Sequence, residues 1–303
     1  MIYHMSSNEN KSGKCNCFLT NSDFVTDWHL RQVFEAFSQL EVDVFSIRRL
    51  GRDAVNFKVT GVKGRKFAEL EKSALVDINF LYNPSPKKLL FADMDSTIIK
   101  VECIDELADF FGIREQVESI TKRSMIGEID FSESLKKRVA LLKGLDMSQM
   151  IDCFKNKVEI SQGACTLVKT MKAFGAEAYL VSGGFTFFTD RVASLVGFND
   201  SFANRLVFEK GTLSGEIEEP ILDEKSKSVI LQRLCRARSV DSEDTLAVGD
   251  GANDVKMIKE AGLGVSYYGK QPLEKVSDMQ IKFSDLRSLL YFQGLEEKQF
   301  IQG

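Results

Sequence analysis

Asp93 and Asp95 stand two residues apart in the run Phe91-Ala92-Asp93-Met94-Asp95-Ser96-Thr97. Just before them, Lys88-Leu89-Leu90-Phe91-Ala92 reads as a short buried strand. If the strand continued, both carboxylates would lie on one face. Close carboxylates repel, so a cation belongs beside them, and Mg2+ is the hard cation that suits oxygen ligands. Ser96 and Thr97 add hydroxyls and backbone N–H groups where the chain turns away. The end of a buried strand is also where α/β sheets place their ligands. Alone, such a run also occurs in solvated turns, so the rest of the chain decides.

Two further stretches end buried strands in the same way. Ala176–Val181 leads into Ser182-Gly183-Gly184, where a hydroxyl and closely approaching backbone N–H groups suit a phosphate. A helix starting near Phe185 adds the positive end of its dipole. Asp244–Val248 leads into Gly249-Asp250-Gly251-Ala252-Asn253-Asp254. The glycines permit a tight turn that sets Asp250 at the strand end, and Asn253 and Asp254 share a face of the next helix. Gly-x-Gly without a third glycine or a Gly-Lys-Ser/Thr does not match a nucleotide loop.

A third signal is a misplaced charge. In the helix Phe131–Lys143, Phe131, Leu135 and Leu142 form an apolar stripe with Arg138 in the middle of it. A hydrated charge rarely sits there without a partner. A structural salt bridge or a snorkelling side chain would explain it. So would a guanidinium fork that clamps a carboxylate.

The Asp-x-Asp-Ser-Thr run, the Ser-Gly-Gly turn and the Gly-Asp-Gly-x-Asn-Asp loop come in the order of the motifs of the haloacid dehalogenase superfamily. The chain resembles the phosphoserine phosphatases of that superfamily over roughly Lys88 to Phe283. The resemblance implies Asp93 as nucleophile, forming an aspartyl-phosphate, and Asp95 as general acid and base. It implies Mg2+ held by Asp93, the backbone carbonyl of Asp95, and Asp250. A lysine must neutralise the phosphate and the aspartate; Lys227 fits that position best, with Lys225 as runner-up. Ser182, Gly183 and Asn253 would meet the phosphate. Asp254 would orient metal-bound water or Lys227. Glu102, Phe131 and Arg138 match the residues that hold the amino-acid end of the substrate, Glu102 on the ammonium and Arg138 on the carboxylate. The expected activity is hydrolysis of O-phospho-L-serine to serine and phosphate, the last step of serine synthesis in that family. Transfer of the phosphoryl group to another alcohol, or hydrolysis of another small phosphomonoester, is the alternative. Asp95 argues against dehalogenation, which needs no general acid there.

These residues need an α/β core. The expected fold is a Rossmann-like parallel sheet over residues 87–303, with a helical cap inserted at about 103–157 to exclude water. Cap helices are expected at Ile104–Phe111, Glu115–Lys122, Phe131–Lys143 and Met147–Asn156. A β-hairpin is expected from Asn204–Phe208 and Thr212–Ile217, and later strands at Leu263–Ser266 and Met279–Phe283. Before the core, residues 14–86 read as strand, helix, strand, strand, helix, strand, the ferredoxin-like order. The second helix is expected at Val62–Lys72, and Pro84 and Pro86 mark the linker. The position of this module resembles that of an ACT-type regulatory domain. Its role is amino-acid binding, or a structural or homodimerising one, so an amino-acid-sensing protein is the reading of another class. Residues 1–13 are expected to be disordered.

Composition narrows the field. The 303 residues carry a formal charge of −4, which gives no electrostatic case for nucleic acid or an acidic membrane. No apolar run is long enough to span a bilayer. Met1–Lys14 lacks the apolar centre of a signal peptide. Six scattered cysteines without a Cys-x-x-Cys pair, and two histidines, suit reduced thiols in a cytoplasmic protein rather than a zinc site. Tyr291-Phe292-Gln293-Gly294 looks like part of a protease-tag site, but its apolar flanks read as a native helix.

Overall fold

A computed structural model describes residues 13–62, 67–125 and 128–302. The tail expected at 1–13 lies outside these apart from Gly13. The N-terminal module comprises β1 (Cys15–Thr20), α1 (Asp27–Gln39), β2 (Asp43–Gly51), β3 (Ala54–Thr60), α2 (Ala68–Ala74) and β4 (Asp77–Leu81). Its antiparallel sheet has the order β2-β3-β1-β4, the ferredoxin-like arrangement. The second helix starts later than Val62 and runs past Lys72; of its expected span, residues 63–66 lie outside the described residues. Phe67 stays out of the helix because its buried ring packs between Phe37 and Phe80, with centroids 5.8 and 5.2 Å away.

The core follows as β5 (Leu89–Ala92), then α3 (Cys103–Phe110), α4 (Arg114–Met125), α5 (Phe131–Leu141), α6 (Met147–Lys157) and α7 (Ala164–Ala173). Next come β6 (Glu177–Phe185), α8 (Thr186–Val196), β7 (Asp200–Asn204), the hairpin β8 (Leu206–Glu209) and β9 (Thr212–Ile217), and α9 (Glu224–Arg238). The chain closes with β10 (Thr245–Gly249), α10 (Val255–Glu260), β11 (Leu263–Tyr267), α11 (Gln271–Glu274), β12 (Met279–Ile281) and α12 (Ser288–Phe292). Six parallel strands lie in the order β12-β11-β10-β5-β6-β7. The inner strands β5 and β10 are buried along their whole length, as continuous apolar strands covered on both faces must be. Their C-terminal ends, and that of β6 beside them, bring the three motifs to one edge of the sheet.

Several elements depart from the sequence reading. Asn204 ends β7, an edge strand of the main sheet, and the hairpin starts at Leu206. Ser182-Gly183-Gly184 is not a free turn, because β6 continues through it to Phe185. The helix α7 was not anticipated: its buried face includes Thr166 and Thr170 beside Leu167, Val168 and Met171, so it shows little apolar contrast. Tyr291 and Phe292 are buried in the core, so that run is a structural part of the chain.

The two modules are locked together. Asp77, at the start of β4, accepts the N–H groups of Lys282, Phe283 and Ser284 at 2.8, 3.1 and 2.9 Å. The Asn79 and Gln280 groups exchange hydrogen bonds, both at 2.8 Å. Arg287 pairs with Asp53 at 2.8 Å. The Phe18 ring meets Phe292 edge-on at 5.5 Å. Phe18, Leu50 and Ala54 share one apolar cluster with Ala92 and Val248 of the core strands.

Burial pushes the Asp77 carboxyl up to about 6, against the hydrogen bonds from Ser284, Lys282 and Phe283, which work to lower it. A carboxyl raised in the folded state binds its proton more tightly there. Its stabilising contribution is complete below the ordinary carboxylate range and is lost as pH rises through about 6. Asp77→Asn cannot take up the proton and is therefore expected to flatten the fall of the melting temperature between pH 4 and 6, read by calorimetry across that range.

Candidate active site

The backbone of Asp93 extends the ladder of β5 by one bond, its N–H donating to the Val248 carbonyl at 3.0 Å. Its carboxylate turns inward and accepts the Met94 N–H at 2.8 Å. Lys227 Nζ stands 2.7 Å from Asp93 Oδ1 and 2.6 Å from Asp254 Oδ1, with all three side chains buried. Lys227 reaches this place because Asp223 caps α9, accepting the N–H groups of Lys225 and Ser226 at 3.0 and 2.9 Å. From that start, Lys225 faces solvent and Lys227 points into the sheet edge, so of the two it is Lys227 that reaches Asp93.

The charges perturb each other strongly. Burial, then Asp254, then Asp95 push the Asp93 carboxyl well up, while Lys227 pulls it down. For Lys227, burial favours the neutral amine, but Asp254 and Asp93 outweigh it and hold the ammonium form. Asp95 is pushed up to about 7, by burial first and then by Glu102, against the Cys103 N–H that its Oδ1 accepts at 3.1 Å. A carboxyl in that range can give and take a proton near neutrality.

Asp93, Asp250 and Asp254 offer carboxylate oxygens within 4.8 Å of one another. Asp254 uses both of its oxygens internally: one holds Lys227, the other accepts the N–H groups of Asp250 and Gly251 at 3.2 and 3.1 Å. Asp93 and Asp250 are left to meet a hard cation, and the oxygen-only donor set fits one. Asp250 is pushed up to about 6 by burial, opposed by Lys270, whose Nζ stands 3.4 Å from its Oδ2.

Ser182 lies beside Asp95: its hydroxyl donates to Asp95 Oδ2 at 3.4 Å and accepts the Gly184 N–H at 2.9 Å. Ser96 does not face this centre. Its N–H donates to the Val101 carbonyl at 3.2 Å and its hydroxyl to Glu102 Oε1 at 2.8 Å. Thr97 is buried, and its hydroxyl has no partner among the described residues. Asn253 is half-buried beside Gly251: a Cβ on that glycine would stand 2.4 Å from Asn253 Oδ1.

Helix α5 carries two more of the expected residues. Asp130 caps α5 by accepting the Glu133 N–H at 2.7 Å, which fixes the register of Phe131 and Arg138. The Phe131 ring lies over Gly183, where an added Cβ would come within 3.3 Å of it. Arg138 is mostly enclosed, and its Nε donates to the Ser134 carbonyl at 3.4 Å. Among the described residues it makes no ion pair, although Asp105 and Glu102 hold its charge against burial. A structural salt bridge therefore does not explain it.

Three features escaped the sequence reading. Asn204 locks the second motif, donating to the carbonyls of Gly183 at 2.8 Å and Leu222 at 3.3 Å. The hairpin grips the α5–α6 connection, with backbone bonds from Gly144 to Leu213 and from Leu213 to Leu145 at 2.9 and 2.7 Å. Lys270 reaches Asp250 from beyond the last motif. Neither Asn204 nor Lys270 sits in a recognisable motif; only the fold brings them near. Gly184 has a spatial requirement too, since a Cβ there would stand 2.9 Å from Asp95 Oδ2. Gly184→Ala is expected to leave the fold intact and lower kcat about tenfold to hundredfold by displacing Asp95, as steady-state kinetics would show.

The haloacid dehalogenase-like hydrolase family matches residues 87–262. A phosphoserine phosphatase of Archaeoglobus fulgidus is 40% identical over 203 residues, covering 67% of this chain and 59% of that one. One of Methanocaldococcus jannaschii is 39% identical over 206 residues, covering 68% of this chain and 97% of that one. Among solved structures, a substrate-bound phosphoserine phosphatase aligns with a TM-score of 0.64 at 38% identity, over 68% of this chain and 98% of that one. A probable phosphoserine phosphatase of Vibrio cholerae aligns over 92% of this chain and 86% of its own, with a TM-score of 0.79 at 28% identity, so the likeness reaches the N-terminal module. This chain belongs to the haloacid dehalogenase-like hydrolases and, within them, to the phosphoserine phosphatase family.

Proposed function

We propose that this chain is a Mg2+-dependent phosphoserine phosphatase working through an aspartyl-phosphate on Asp93. The observation that carries the reading is the buried Lys227 ammonium bridging Asp93 and Asp254. It offsets the negative charge that would otherwise bar a carboxylate from attacking a phosphate. Asp93 and Asp250 would hold Mg2+, with the Asp95 backbone carbonyl as a further ligand. When bound, the ion supplies charge that offsets repulsion between carboxylate and phosphate.

Asp93 attacks phosphorus, forming an O–P bond as the bond to the serine oxygen breaks. Asp95 gives that oxygen its proton. Asp95 then takes a proton from the water that attacks phosphorus, and the bond to Asp93 breaks, releasing phosphate. Ser182, Gly183 and Asn253 orient the phosphate, and Asp254 keeps Lys227 in place. Glu102 meets the substrate ammonium, Arg138 its carboxylate, and Phe131 closes the roof against water.

In this reading residues 14–86 form an N-terminal module, residues 87–303 the catalytic unit, and residues 103–157 its cap. Six unpaired thiols support a cytoplasmic setting. Among the described residues no helix is long and apolar enough to cross a membrane.

The test is phosphate release from L-phosphoserine beside a panel of other phosphomonoesters, with and without Mg2+. A metal-dependent preference for phosphoserine is expected. Equal rates across the panel would remove the roles of Glu102 and Arg138, and turnover without a divalent ion would remove the metal site. Arg138→Ala is expected to raise KM for phosphoserine about tenfold to hundredfold, the worth of a charge-assisted fork, with a smaller change in kcat. An unchanged KM would make Arg138 a structural residue.

A further inference from the structure

The second motif leaves the regular ladder of the sheet. In the parallel pair β6 and β7, Val181 stands opposite Phe202 and Phe185 opposite Asn204, so Ser182, Gly183 and Gly184 have only Ala203 across from them. Such a bulge bends its strand and breaks the ladder. Here it does so where Ser182 meets Asp95. A carbonyl stranded in the bulge would cost stability and leave the motif free to shift.

The Asn204 side chain stands in for the missing ladder. Its Nδ2 donates to the Gly183 carbonyl at 2.8 Å and to the Leu222 carbonyl at 3.3 Å, and its Oδ1 accepts the Leu222 N–H at 2.7 Å. Asn204 is buried, and these bonds fix which way its amide points, because one N–H needs an acceptor and two carbonyls need donors.

On one side the amide begins a chain of hydrogen bonds. The peptide unit whose carbonyl it holds gives its own N–H, that of Gly184, to Ser182 Oγ at 2.9 Å, and Ser182 Oγ donates to Asp95 Oδ2 at 3.4 Å. Each bond in such a chain polarises the next. On the other side, Leu222 directly precedes Asp223, the cap of α9, and Lys227 stands about one helical turn further on.

We infer that Asn204 is a positioning residue for the phosphoryl group: its amide holds the second-motif bulge and the start of the Lys227 helix at one separation, so that both walls around the phosphate move as one body. This rests on the phosphatase reading for the identity of the group bound. Glu102 and Arg138, read as the anchors of the amino-acid end, lie at the start of α3 and on α5, and the Asn204 amide bonds to neither. Loss of Asn204 is therefore felt at the phosphate and spares the amino-acid end.

The test uses the full chain with Mg2+ and sets Asn204→Ala beside Arg138→Ala. Calorimetric titration with inorganic phosphate reads the phosphoryl end without turnover. Values of kcat/KM for L-phosphoserine and for p-nitrophenyl phosphate read it with and without an amino-acid end. In Asn204→Ala the Kd for phosphate is expected to rise about tenfold, and kcat/KM to fall about tenfold to hundredfold by the same factor for both esters. Arg138→Ala should show the opposite pattern, an unchanged Kd for phosphate and a loss confined to phosphoserine. In Asn204→Ala, hydrogen exchange should quicken at Gly184 and stay at the wild-type rate in β5 and β10.

An unchanged Kd for phosphate in folded Asn204→Ala, a loss confined to phosphoserine, or exchange quickened throughout β5 and β10 overturns the inference. The last makes Asn204 a structural residue only. If Asn204→Ala is unfolded at the assay temperature, Asn204→Ser, which leaves a smaller void, is read in the same way; failure of both to fold also makes Asn204 structural and overturns the inference. Intact wild-type turnover beside an unchanged Kd in the variant removes the role of Asn204 alone. A wild type that binds phosphate but hydrolyses neither ester removes the phosphatase reading, and the titration and exchange still decide the role of Asn204. A wild type that neither binds phosphate nor hydrolyses either ester removes both.

Discussion

Asp93→Asn is expected to lower phosphate release by a factor on the order of 10⁴ or more while leaving the melting temperature at or above the wild-type value. The amide keeps the shape and can still accept the Met94 N–H, but it cannot form the covalent intermediate. Stability should not suffer because the fold disfavours the Asp93 charge: burial, Asp254 and Asp95 all push its carboxyl up. Lys227 retains Asp254 as its partner at 2.6 Å. Rapid-quench kinetics and a melting curve check the two halves. Residual turnover near wild type would move the nucleophile elsewhere; a large loss of stability would make Asp93 a structural residue first.

The second large effect falls on the other side of the same contact. Lys227→Met should abolish measurable turnover and also cost about 3–5 kcal/mol of stability, since it strands two buried carboxylates beside each other. The destabilisation should shrink as pH falls, because protonating the stranded carboxyls removes their repulsion. Denaturant titrations at two pH values check this. Lys225→Met is the control: that side chain is exposed, and its loss should change neither quantity measurably. The pair of variants separates a lysine that carries charge into the core from one that merely starts the same helix.

The chemistry was legible because it sits at the ends of strands whose apolar runs are unmistakable. Phe91 and Val248 announce buried strands, and the acids follow them directly. Arg138 stands out in the sequence because it breaks an apolar stripe, and the structure leaves its guanidinium without an ionic partner among the described residues. What stayed hidden had no local signature. The strand β7 reads Asp-Ser-Phe-Ala-Asn, too polar for an inner strand, and holds its place only at the edge of the sheet. Asn204 and Lys270 act at a distance in sequence from what they hold, and an isolated polar residue looks the same whether it locks a loop or faces water. The choice between Lys225 and Lys227 turned on helix register, which the Asp223 cap sets.

The shared apolar cluster has a consequence for how this chain can change over time. Phe18, Leu50 and Ala54 belong to the module by sequence and to the catalytic unit by packing. The folding free energies of the two parts are therefore not separate quantities. Phe18 of β1 meets Phe292 of α12, so a substitution there loosens the module and the catalytic unit together. A relative aligned over 97% of its own length covers only 68% of this chain, so the joint core ties these two parts to each other without being a demand of the catalytic fold itself.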